Sequence, residues 1–188
     1  MEKKHAMLLA AMTEYDGGDV PRIQHFVKVH DFAATIAQLE GVDEQTTFIL
    51  ETAAILHDIG IHPSEKLYGD CNGKHQEELG PAEARALMQR LGGYTEKQIE
   101  RVCFLIAHHH TYHNVDSIDW QILLEADFLV NSFEDALSIE AVKTFEAKVF
   151  KTASGRRLLE TMWAPTRPSQ REGMINLSTH PYPPKGRE

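Results

Sequence analysis

The chain has 188 residues, 42% of them apolar, and sets 28 acidic against 19 basic side chains for a formal charge of −9. That apolar content builds one packed domain and excludes a disordered chain, while a pI near 5.6 argues against nucleic acid or an anionic membrane surface as partner. Cys71 and Cys103 stand too far apart for a zinc knuckle or a disulfide framework, which fits a reducing cytoplasm, and no run of about 18 apolar residues offers a membrane span.

Lys3 and Lys4 precede only the short apolar run Ala6–Met12, too short and wrongly flanked for a secretory leader. Residues 2–13 are expected to form a first helix, closed by Gly17 and Gly18. Asp19 caps the second, with Pro21 in its first turn, and that helix runs to about Leu39 and stops at Gly41. His25, Val29, Phe32 and Ile36 share one of its faces. Asp43 caps a third helix, in which Leu50, Ala54 and His57 continue one stripe, so that a histidine extends the apolar face of its own helix.

Gly60, Pro63, Gly69, Asn72 and Gly73 mark residues 60–73 as a loop. A helix is expected over Lys74–Leu91, with a break or tight turn at Gly80-Pro81 and an end at Gly92-Gly93. Thr95 and Gln98 are spaced as a capping box and open a helix that runs into His108-His109-His110. Thr111–Asp119 reads as a polar turn, and Asp119 is placed to cap a helix over Trp120–Asn131. Further helices are expected over Glu134–Lys151 and Gly155–Trp163. Residues 164–188 carry Pro165, Pro168, Pro181, Pro183 and Pro184 and read as an extended arm or tail. Strand alternation and internal repeats are both missing, so the expected fold is all-α, about seven helices in a single domain over residues 1–163.

Histidine is the compositional outlier, with eleven residues, most of them between His25 and His113. Taken singly, each has an ordinary explanation: a core histidine at His25, an exposed one at His75, a helix end suited to a cation at His108–His110. Asp127 is harder to place, because it sits inside the apolar run Ile122–Val130 and a buried carboxylate needs a partner. Imidazole and carboxylate are both ligands for divalent transition metals. Helical bundles build metal sites from inward side chains of facing helices.

Four segments stand in order: Arg22-Ile-Gln-His25-Phe-Val-Lys-Val29, Ala54-Ile-Leu-His57-Asp58-Ile-Gly60, Leu105-Ile-Ala-His108-His109-His110 and Glu125-Ala-Asp127-Phe-Leu-Val130. Over about residues 20–135 this pattern resembles the HD superfamily of metal-dependent phosphohydrolases. The resemblance implies an HD-domain helical bundle with His25, His57, Asp58 and Asp127 as core metal ligands. Members with two metals add two histidines; His75 and one of the triple fit those places, His109 ahead of His108 because Val102, Ile106 and His109 share a helical face. The implied cofactor is one or two divalent transition metals (Fe, Mn, Co, Ni or Zn). The implied reaction is hydrolysis of a nucleotide or other small phosphoester by a metal-activated hydroxide, with Asp58 bridging the ions.

His62, His110 and His113 are then candidates to protonate the leaving oxygen. The lysine that many members carry after His-Asp-x-Gly is replaced here by Ile61 and His62, so phosphate contact passes to His62, Lys66 or Lys74, with Tyr112 and Asn114 as further substrate contacts. The Gly-Tyr-Pro element of the cyclic-dinucleotide phosphodiesterase branch is missing, so that branch's substrate is not implied. Two alternatives share the ligand set: a di-iron oxygenase of the same fold, and a non-enzymatic metal-dependent ligand-sensing module. A monomer and a homodimer are both compatible with the sequence.

Overall fold

Helices α2 (Val20–Glu40), α3 (Glu44–Leu56) and α7 (Ile118–Glu134) pack on one another at the centre of the molecule; α2 carries His25, α7 carries Asp127, and His57 and Asp58 follow the end of α3. The computed structural model describes residues 2–165. Among these are nine helices: α1 (Lys3–Tyr15), α2 (Val20–Glu40), α3 (Glu44–Leu56), α4 (Ile61–Tyr68), α5 (Gly73–Leu91), α6 (Glu96–Ile106), α7 (Ile118–Glu134), α8 (Ile139–Val149) and α9 (Ala153–Met162). No strand occurs among the described residues, and no helix there is long and apolar enough to cross a membrane. The expected arm falls almost wholly on residues 166–188, outside the described residues.

Capping side chains fix most helix starts. The Asp19 carboxylate accepts from the Arg22 N–H (3.3 Å) and Asp43 from the Thr46 N–H (3.0 Å). Thr95 and Gln98 form a reciprocal capping box, and Ser138 and Thr152 cap α8 and α9. Hydrophobicity then sorts the helices by depth. Every residue from Asp119 to Val130 is buried, as expected of a helix apolar on all sides. Leu50, Ala53, Ala54, Ile55 and Leu56 are wholly removed from solvent, each large aliphatic side chain contributing roughly 1.5–3 kcal/mol. Around this centre α6 packs on α3, α5 on α6, α4 on α5, α1 on α3, and α9 against both α2 and α7.

Three local expectations are corrected. Residues 61–68 are helical rather than loop, because Pro63 occupies the third helical position, where the backbone N–H has no intrahelical partner to lose. This adds one helix, α4, to the segments expected from the sequence. Gly80-Pro81 is not a break: α5 continues through it. The two glycines instead permit close packing. A Cβ on Gly60 would meet the Gln76 carbonyl oxygen at 2.6 Å and the Gly80 nitrogen at 2.9 Å, and one on Gly80 would meet Ile106 Cγ2 at 2.7 Å. The turn after His57-Asp58 thus lies directly against α5, which in turn lies against α6. Finally, Asp119 does not cap α7. It sits in the helix's first turn, where it accepts from Arg101 Nε (2.8 Å) and Nη2 (2.7 Å).

A buried carboxylate organises the far end. Glu125 accepts from Gln121 Nε2 (2.7 Å), the backbone N–H groups of Lys151 (2.7 Å) and Thr152 (3.0 Å), and the Thr152 hydroxyl. It ties α7 to the α8–α9 junction, and Gly155 is glycine because a Cβ there would collide with the same carboxylate.

Candidate metal centre

A helix ends with backbone carbonyls that have no N–H partner. Two adjacent ends, those of α3 and α6, use histidine to satisfy one of them. His57 follows α3 directly, and its Nδ1–H donates to the Ala54 carbonyl at 2.8 Å. His109 stands three residues beyond Ile106, and its Nδ1–H donates to the Ile106 carbonyl at 2.6 Å. A carbonyl only accepts, so the proton sits on Nδ1 and each Nε2 keeps a bare lone pair. His25 on α2 arrives at the same tautomer by another route, donating from Nδ1 to Glu134 Oε2 at 2.8 Å. Orienting partners of this kind accompany metal-ligating histidines.

The bare nitrogens converge. His25 Nε2 lies 3.1 Å from His57 Nε2, 3.2 Å from Asp127 Oδ1 and 3.6 Å from Asp58 Oδ2. His57 Nε2 is 3.5 Å from both Asp58 Oδ2 and Asp127 Oδ1, and His109 Nε2 is 3.5 Å from Asp58 Oδ1. His109 Nε2 is buried without a hydrogen-bond partner among the described residues. Asn131 Nδ2 donates to Asp127 Oδ1 at 2.8 Å and steadies that carboxylate.

The electrostatics call for a cation. Burial works against a charge on His25, yet its contacts with Asp127 and Glu134 and the nearby Asp58 outweigh burial and lift its pKa to about 10. His57 is raised in the same way, against its burial, chiefly by Asp58 and Asp127. Burial would raise both aspartates, but His57, His109 and His25 hold Asp58 far below the usual carboxylate range, and His25 and His57 do the same for Asp127. Negative ends of the α3 and α6 dipoles point the same way. Imidazole nitrogens with carboxylate oxygens are the donor set of borderline transition ions. Two such groups can be drawn, His25–His57–Asp58 and Asp58–His109–His110, each with its ligand atoms within 4.8 Å of one another and with Asp58 common to both.

His25, Asp58 and Asp127 of this cluster line a cavity of about 380 Å³, whose walls include Arg22, Ile61, Gln76 and His110, while His57 and His109 lie buried behind them. Gln76 donates its amide to the Cys71 carbonyl (2.7 Å), so its free oxygen accepts from His110 Nε2 (3.3 Å) and the His110 Nδ1 is left bare. Burial, with His109 beside it, pushes His110 down to about 4. The Arg22 guanidinium is braced by Glu65 (2.5 and 3.2 Å), by Asp19 (3.1 Å) and by His62 Nδ1 (3.2 Å), and His62 Nε2 lies 3.2 Å from Asp16.

Of the residues singled out in the sequence, the fold brings together His25, His57, Asp58, His109, His110 and Asp127. It places the others elsewhere. His75 pairs with Asp70 (2.8 Å) and stacks on Tyr68, outside the cluster. His108 turns outward, its Nδ1–H on the Phe104 carbonyl and its ring against Phe104 and Trp120. His62 braces Arg22 and does not line the cavity. Lys66, Lys74, His113 and Asn114 are exposed, and Tyr112 packs on Phe145. The sequence reading passed over Arg22, Gln76, Asn131 and Glu134 as site residues. Three of them carried a signal: Arg22 is one turn before His25, and Asn131 and Glu134 are one and two turns after Asp127.

No curated protein matches the chain. Among solved structures it is similar to the crystal structure of a predicted HD superfamily hydrolase from an uncultured Thermotogales bacterium, at 27% identity and a TM-score of 0.59, covering 85% of this chain and 84% of that one. The HD domain family model matches residues 22–151, the stretch that contains every member of the converging cluster, and the chain belongs to the HD domain family.

Proposed function

We propose that the protein is a metal-dependent phosphohydrolase acting on a small phosphoester such as a nucleotide. The observation that carries this reading is the convergence of three imidazole nitrogens and two carboxylates beside a cavity with an arginine in its wall. His25, His57, Asp58 and Asp127 would hold one divalent ion, and Asp58, His109 and His110 a second. His75 has no part in this assignment, because Asp70 and Tyr68 hold its ring away from the cluster. The nitrogen-rich set suits Mn, Fe, Co, Ni or Zn better than Mg. When bound, such an ion supplies Lewis acidity, lowering the pKa of a coordinated water from about 15.7 to about 7 and balancing phosphoryl charge.

The remaining work belongs to side chains of this chain. Glu134, Ala54 and Ile106 hold three imidazoles in the tautomer that offers Nε2, so the ligands need no rearrangement. Arg22, whose two Nη groups are paired end-on with Glu65 from α4, keeps its Nε–Nη2 edge for phosphate oxygens. His110 is neutral near pH 7, so its bare Nδ1 accepts a proton or a ligand bond and does not start as an acid. The cavity volume of about 380 Å³ falls in the range of small-molecule sites, about 300–1,000 Å³. A hydrolysis screen of nucleotides and small phosphoesters, with Mn, Fe, Co, Ni and Zn each supplied, tests the reading. Turnover lost in Asp58→Asn supports it, and no turnover on any phosphoester with any of these metals overturns it.

A further inference from the structure

We propose a second, separate metal site formed by His5 of α1, His30 of α2 and Glu51 of α3, suited to a zinc-class divalent ion. It shares no residue with the first cluster. His30 follows His25 by five positions, which turns it about 140° around α2 and moves it about 7.5 Å along the axis. Glu51 precedes His57 by six positions on α3.

The hydrogen bonds of His5 place a proton on its Nε2. The Thr52 hydroxyl donates to the Phe48 carbonyl at 2.8 Å, so its oxygen is free only to accept. His5 Nε2 lies 3.1 Å from that oxygen and 3.2 Å from the Phe48 carbonyl. Both are acceptors, so His5 carries a proton on Nε2, and its Nδ1 faces Glu51 either bare, open to a metal ion, or with a second proton. That Nδ1 is buried, has no hydrogen-bond partner among the described residues, and points at Glu51 Oε2 from 3.0 Å. His30 Nε2 approaches the same oxygen, also at 3.0 Å. Two lone pairs facing each other at this distance repel unless a positive charge lies beside them.

The three ligand atoms lie within 4.8 Å of one another, and His5 and His30 are 1% and 7% exposed. Two histidines and a glutamate with one open position form a known zinc donor set. A cavity of about 320 Å³, lined by His5, Thr47 and Glu51, adjoins the group and leaves room for a fourth ligand. Phe48 stacks on the His5 ring at 4.7 Å and holds its plane. An ion here would clamp α1 onto the α2–α3 pair that also carries His25 and His57. The competing occupant is a proton on His5.

The test is a metal count on the full chain, stripped with chelator and reloaded with Zn²⁺ or Co²⁺, with no activity readout. Glu51→Gln keeps the side-chain shape and is expected to hold one ion per chain fewer than wild type. His30→Gln, at the edge of the group, serves if Glu51→Gln does not fold. The pair Asp58→Asn and Asp58→Asn/Glu51→Gln separates this site from the first cluster: the single variant is expected to retain an ion, with Co²⁺ ligand-field absorption that the double variant loses. Equal metal content in wild type and Glu51→Gln, or in the two Asp58 variants, overturns the proposal and leaves a protonated His–Glu–His network.

Discussion

His25 Nε2 and His57 Nε2 face each other across 3.1 Å, with both Nδ1 protons already committed, one to Glu134 and one to the Ala54 carbonyl. In the ion-free pocket burial opposes a charge on His25, but Asp127, Glu134 and Asp58 outweigh it and lift the His25 pKa from 6.5 to about 10. A group whose folded pKa is raised contributes stability that is fully present below its unfolded pKa and is lost as pH rises through the folded one. The chelated protein is therefore expected to lose stability as pH climbs from about 6.5 through about 10, while the metal-loaded protein keeps it. Loading near neutral pH is expected to displace about one proton per ion at this position. Calorimetry in buffers of different ionisation enthalpy reads that proton, and loading without proton release would contradict the assignment of His25.

Asp58 is the only carboxylate common to both ligand groups. Asp58→Asn keeps the volume and removes the charge, and is expected to lower turnover by about a thousandfold, the scale seen when a preorganised electrostatic partner is removed. The ion-free form is expected to lose stability near neutral pH, because the charge removed is one that His57, His109 and His25 stabilise. Turnover within tenfold of wild type in this variant, measured with metal in excess, would move the site elsewhere.

Legibility in the sequence followed how local each feature is. His57 was readable because Leu50, Ala54 and His57 repeat at helical spacing, and Asp127 because a carboxylate stood inside an apolar run. The triple histidine was readable as a group but not in its detail. Residues 107–110 leave the helix as a turn, so periodicity no longer sets direction: His108 faces Trp120, His109 faces the core and His110 faces the cavity. Helix α4 and the Gly60–Gly80 approach were not readable. Their glycines look like turn signals, and only the tertiary contact shows that they are there to let backbones touch. Arg22 went unrecognised for the same reason, since the groups that brace it, Glu65 and His62, sit on α4.

Glu134 accepts the Nδ1–H of His25 and so sets which nitrogen faces the cluster. Glu134→Ala is expected to weaken metal binding by about 10–100-fold, the usual effect of losing an orienting partner. Glu134→Gln retains an acceptor oxygen and is expected to lose much less. Competition against a chelator of known affinity measures both. Equal affinities for the alanine variant and wild type would mean that packing alone orients His25.

Gly60 tests the frame that carries Asp58. A methyl group there would stand 2.6 Å from the Gln76 carbonyl oxygen and 2.9 Å from the Gly80 nitrogen, and backbone cannot swing aside as a flexible side chain would. Gly60→Ala is expected to cost about 1–3 kcal/mol in urea unfolding, the usual scale of overpacking, and to lower metal affinity by shifting the turn on which Asp58 sits. Unchanged stability would show that α5 yields easily and that the glycine is not required for packing.

Arg22 is where the proposed phosphate preference can be read apart from metal binding. It lines the cavity but is not in either ligand group. Arg22→Lys preserves the charge and discards the planar fork, so a role in simple electrostatic attraction would survive it and bidentate recognition would not. A charge-assisted hydrogen bond is worth about 1.5–3 kcal/mol, and about 1.4 kcal/mol is tenfold in affinity. The expected result is a rise of at least about tenfold in KM for phosphoesters, with metal content unchanged and kcat close to wild type. If KM stays fixed while kcat falls, Arg22 acts on the transition state and not on ground-state binding; if neither moves, the cavity's phosphate contact lies on another side chain.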